Sequence, residues 1–109
     1  MAAYAETTTF DLPKAERISR ELGMITGKCD VTNYNTTGAE ITDITGKFKS
    51  LKRVICDGFS DNLFGMRWDT TDKCFHAFSE SDGGAGTAFQ EEANDTDIGE
   101  INFIAIGTI

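Results

Sequence analysis

The stretch RWDTTDKCFHAFS, residues 67–79, constrains the fold of this chain more than any other. The run leading into it, Leu63 to Trp68, puts Phe64, Met66 and Trp68 on one face of an extended segment. Five residues of turn chemistry, Asp69 to Lys73, follow before CFHAFS resumes the extended pattern. That spacing predicts an antiparallel hairpin.

The rest of the chain reads the same way. From Met24 to Thr32, Ile25, Gly27, Cys29 and Val31 fall on one face, with Thr26, Lys28, Asp30 and Thr32 on the other, as in a half-buried strand. NYNTTG at 33–38 is a loop by its Asn, Thr and Gly content. Ile41, Ile44 and Phe48 then predict a single helical turn ended by Gly46. LKRVICD at 51–57 reads as a strand, ESDGGAGT at 80–87 as a loop, and Phe89 to Ala93 as a short strand. EINFIAIG near the C-terminus has the almost continuous apolar character of a strand covered on both faces. PKAERISRELG at 13–23 predicts one short helix, with Pro13 at its first position, Ile18 and Leu22 one turn apart and Gly23 as its stop. Residues 1–12 have no helical period and read as an extended N-terminal arm anchored by Tyr4 and Phe10, leaving residues 13–109 as a single β-domain. Short strands divided by turns point to an all-β fold, a compact antiparallel β-sandwich or a jelly-roll-like barrel.

At 109 residues the chain suits one domain with a modest core. Its 18 acidic residues against 10 Lys and Arg give a net charge of −8, which argues against nucleic acid as a partner. No apolar run is long enough to span a membrane, and no signal peptide is apparent, so a soluble protein made in the cytoplasm is expected. Three widely separated cysteines, Cys29, Cys56 and Cys74, suit free thiols better than a disulfide framework.

Catalytic and metal chemistry finds little support. His76 is the sole histidine and lies among aromatics, where a packed side chain is a better reading than a base. It shares a strand face with Cys74, but nothing else marks a Cys–His nucleophile. No CxxC supports zinc, and NDTDIGE lacks the positions of a calcium loop. GGAG at 83–86 lacks the Lys of a phosphate loop, and Glu91 and Glu92 read as surface charge. The expectation is no enzyme, no cofactor and no metal. Charge is divided: Lys47, Lys49, Lys52 and Arg53 cluster together, whereas the chain after Lys73 carries acids and no Lys or Arg. Two such surfaces can orient a subunit contact.

Four stretches taken together carry a resemblance. They are ITGKCDVTNYNTTGAEIT with its Tyr-x-Thr-x-Gly-x-Glu loop, SLKRVIC, the hairpin RWDTTDKCFHAFS, and EEANDTDIGEINFIAIGT, spanning about residues 25–108. In order and spacing the chain resembles the small capsid decoration, or cement, proteins of tailed bacteriophage heads. The resemblance implies a non-enzymatic β-sandwich or jelly-roll-like module on the outer surface of the virion capsid, often a homotrimer, that stabilises the head by bridging major capsid proteins. Tyr4 and Phe10 of the arm and Lys47, Lys49, Lys52 and Arg53 are the expected capsid or subunit contacts. An alternative is a virion or tail-associated adhesin domain that binds a host surface glycan through a stacking patch of Trp68, Phe75 and His76.

Overall fold

The structure, a computed structural model, describes residues 3–80 and 89–109. Along the chain run β1 (Ala5–Phe10), β2 (Glu16–Arg17), β3 (Leu22–Asn33), α1 (Thr42–Thr45), β4 (Ser50–Cys56), β5 (Gly65–Asp69), β6 (Cys74–Glu80), β7 (Phe89–Glu91) and β8 (Gly99–Thr108). They build two antiparallel sheets. One has five strands in the order β1-β3-β8-β4, with β2 also paired to β3; the other is β5-β6-β7. The fold is therefore all-β, as expected. Of the two expected forms it is the open one, because the sheets do not close into a barrel.

The alternation in β3 works as its sequence suggests: Ile25, Cys29 and Val31 point into the core. They meet Val54 of β4, Ile101, Phe103 and Ala105 of β8, and Trp68, Phe75 and Ala77 of the second sheet. Phe75 joins the two layers. Its ring lies 4.9 Å from that of Trp68, edge to face, and 6.0 Å from that of Phe103. Large side chains at such positions contribute about 1.5–3 kcal/mol each by burial. The single turn α1 ends at Gly46 and buries Ile44; at four residues it depends on this packing.

The predicted hairpin is present, with Trp68 opposite Phe75 and Asp69 opposite Cys74. Asp69 shapes its turn: Oδ1 accepts from the amides of Thr71 at 2.8 Å and Asp72 at 3.0 Å. The expected loop at 80–87 lies, apart from Glu80, outside the described residues.

Three expectations change. Residues 13–23 are not helical; Glu16 and Arg17 pair with Met24 and Gly23, and the amides of Ile18 and Ser19 bond to the carbonyl of Leu22. Ile18 and Leu22 are too few apolar contacts to hold a helix, and the β3 edge offers hydrogen bonds instead. The N-terminal segment is extended, but it does not project: β1 pairs with β3 of the same chain, from Ala5 opposite Asn33 to Phe10 opposite Gly27. Finally, β8 alternates between buried residues and half-buried or exposed ones, so among the described residues only one of its faces is fully covered.

Candidate functional site

The residues expected to make contacts divide into two groups. Tyr4 turns inward: its hydroxyl donates to the Phe75 carbonyl at 2.8 Å, and its ring meets that of Tyr34 edge on. Burial accordingly pushes the Tyr4 phenol well above its ordinary pKa. Phe10 packs edge to face on Phe103, with ring centroids 5.9 Å apart. Lys47 Nζ sits 4.7 Å from the Phe10 ring and donates to the Pro13 carbonyl at 3.0 Å. These three side chains hold the N-terminal strand to its own domain. Lys49, Lys52 and Arg53, by contrast, are exposed in and just before β4.

Arg53 borders a feature that the sequence pattern concealed. On the outer face of the five-stranded sheet, Ile55 stands opposite Ile104, which stands opposite Thr26; in the next row Arg53, Ile106 and Met24 are aligned. Ile55 is 52 % exposed and Ile104 is 38 % exposed. The outer side of an antiparallel sheet ordinarily carries polar residues. Here an apolar stripe crosses it, beside an open depression of about 500 Å³ lined in part by Thr26, Lys28, Ile55, Asn102 and Ile104. Lys28 pairs with Glu100 at 3.9 Å across the same face. The apolar run of β8 suggests burial on both sides, and among the described residues no element covers Ile104 on the second side.

A second constellation is polar and interior. Cys74 and His76, two apart on β6, turn away from Phe75 and under the loop after β3. His76 Nδ1 lies 2.9 Å from the Tyr34 hydroxyl and 2.7 Å from Glu91 Oε2, and Tyr34 also donates to Glu91. Its Nε2 lies 3.0 Å from Asp72 Oδ2, 3.6 Å from Asp69 Oδ2 and 3.7 Å from Cys74 Sγ. Gly38 roofs the cluster with φ +67°, a conformation that favours glycine, and a Cβ there would fall 2.6 Å from the Cys74 sulfur. Burial pushes the Cys74 thiol up to about 11, the Ala39 amide opposes this, and the nearby carboxylates add to it. Burial and then the bond to Glu91 raise the Tyr34 phenol. The amides of Asp72 and Thr71 hold the Asp69 carboxyl below its ordinary value.

Glu91 is thus a partner of a buried histidine rather than simple surface charge. The clue in the sequence was the spacing Asp69, Asp72, Cys74, His76 on a hairpin, where period two puts the last two side chains on one face. The proposed stacking patch is absent: Trp68, Phe75 and His76 are 8 %, 0 % and 5 % exposed, since they fill the space between and beneath the sheets. The GGAG segment lies outside the described residues. The three cysteines are free. Among the described residues no helix is long and apolar enough to cross a membrane. No known protein family, curated protein or solved structure matches the chain.

Proposed function

We propose that this chain is a structural virion protein that decorates the outer surface of a phage capsid, and that it seats on the shell through the outer face of its five-stranded sheet. The observation that carries the reading is the exposed pair Ile55 and Ile104, with the half-buried Ile106 and Met24 in the next row and Arg53 at the border. An apolar strip with a charged rim has the composition of a protein contact surface. The resemblance of residues 25–108 to capsid decoration proteins supports the choice of partner. The major capsid protein is that partner, with further copies of the chain beside it in a homotrimer. Many identical weak contacts on a shell add up by multivalency.

The N-terminal strand has a different role from the one first expected. Tyr4 and Phe10 are committed to the core of their own domain, so Lys49, Lys52 and Arg53 along the β4 edge and the stripe beside them carry the contact. The test is occupancy on purified heads that lack the protein. Arg53→Glu replaces an exposed side chain and should alter stability by no more than about 0.5 kcal/mol, and Ile104→Glu, at a 38 % exposed site in a central strand, should cost about 1 kcal/mol and leave the protein folded. Each is expected to lower occupancy at least tenfold. Wild-type occupancy by both variants, or binding to tails and not heads, overturns the reading.

A further inference from the structure

The geometry points to a divalent metal site of zinc type at the hairpin, held by Asp72, Cys74 and His76. It is independent of the docking surface. Asp72, Cys74 and His76 present a carboxylate oxygen, a sulfur and a ring nitrogen that all lie within 4.8 Å of one another. Zinc bonds of about 2.0 Å to nitrogen or oxygen and about 2.3 Å to sulfur, at tetrahedral angles, set ligand separations of about 3.3–3.6 Å. The nitrogen-to-oxygen separation is 3.0 Å and the nitrogen-to-sulfur separation is 3.7 Å. The Asp72 side chain is 40 % exposed, which leaves it room to turn toward the sulfur.

The surroundings of the histidine supply a second reason. Glu91 accepts at Nδ1 from 2.7 Å, which directs the Nε2 lone pair toward Asp72, Asp69 and Cys74. This is the carboxylate–histidine arrangement that fixes the tautomer and raises the basicity of metal-bound imidazoles. A lone pair aimed at two carboxylates and a sulfur calls for a cation among them. A proton on Nε2 bonds to one of these atoms at a time, whereas a metal ion bonds to several at once. Asp69 Oδ2, 3.6 Å from Nε2, adds negative charge to the surround. The Gly38 backbone closes one side against Cys74, and the open side of Asp72 is the way in. On binding, the Cys74 thiol releases its proton to solvent and the thiolate bonds to the metal, with no change of oxidation state.

Cobalt(II) is the probe, since it takes tetrahedral zinc sites and absorbs in the visible. Titration of the full chain should give one Co²⁺ per molecule, a thiolate-to-cobalt charge-transfer band, and displacement by Zn²⁺. Cys74→Ser should abolish that band and Cys56→Ser should retain it. Asp72→Asn, which changes a partly exposed side chain and keeps the fold testable if Cys74→Ser does not fold, should weaken Zn²⁺ at least tenfold. Glu91→Gln should weaken Zn²⁺ by about 10–100-fold. Absence of the band in the folded wild-type protein overturns the proposal. So does a band that survives Cys74→Ser.

Discussion

Gly27→Ala tests the docking of the N-terminal strand where the two backbones come closest. A Cβ at Gly27 would stand 2.4 Å from the Thr9 carbonyl oxygen, 3.2 Å from Phe10 Cα and 3.2 Å from Phe103 Cζ. Real Cβ contacts essentially never fall below 3.0 Å, so β1 must back away by more than half an ångström. Ladder hydrogen bonds of ordinary length, about 2.9 Å, then stretch to the limit of useful geometry. The Phe10 ring also leaves its place against Phe103. Overpacking of this kind costs about 1–3 kcal/mol. For a domain of this size, 2 kcal/mol lowers the melting temperature by about 8–16 °C. With a urea slope of about 2 kcal/mol/M the unfolding midpoint falls by about 1 M. Trp68, buried against Phe75, is the fluorescent reporter. A chain that begins at residue 12 lacks the Thr9 oxygen, so there the same substitution should cost only a few tenths of a kcal/mol, from the Phe103 ring edge, by the order of magnitude of surface changes. An unchanged midpoint in the full chain would refute the close approach, as would an undiminished loss in the shortened one.

Other predictions concern the core and its ionisable groups. Burial pushes the Cys29 thiol up to about 12 from its ordinary 9.0, so the folded state holds a proton that the unfolded state releases. That stability is fully present below pH 9 and is lost as pH rises toward 12; by pH 11 the share from Cys29 is about 2–3 kcal/mol, and Cys29→Ala should remove that share while those of the raised Cys74, Tyr4 and Tyr34 groups remain. Urea midpoints that stay constant from pH 8 to 11 contradict this. Tyr34→Phe removes the hydroxyl that meets His76 and Glu91 and should cost about 1–3 kcal/mol in urea unfolding, whereas a neutral effect would mean that the bonds are not made. Trp68 emission should resist acrylamide in the folded protein and become quenchable on unfolding; strong quenching of the folded protein would place the ring outside the core.

How far the fold could be read in advance depended on the range of the interactions that decide it. The faces of β3 and the hairpin at Asp69–Lys73 were legible because alternation and turn chemistry act over a few residues. Residues 13–23 were not, because the partner that draws Glu16 and Arg17 into a ladder is the edge of β3, and a local count of apolar spacings does not register an unpaired edge. Tyr4 was recognised as an anchor, but its acceptor, the Phe75 carbonyl, lies 71 residues away. The same distance in sequence hid the His76 cluster, in which Tyr34 is 42 residues and Glu91 is 15 residues from the ring they share. In β8 the composition misled: a run such as INFIAI is expected between two covering layers, and the described residues supply only one. Lys52 and Arg53 of β4 are exposed, and Ile104 beside them, which the apolar run of β8 places under cover, lies on the same open face.

The most direct measurement of the proposed role is an image reconstruction of the particle into which this domain can be placed. The docking account predicts its density on the outside of the head, with Ile55, Ile104 and Arg53 turned toward the shell or a neighbouring copy. Density on the tail, or on the head with that sheet face open to solvent, would contradict it.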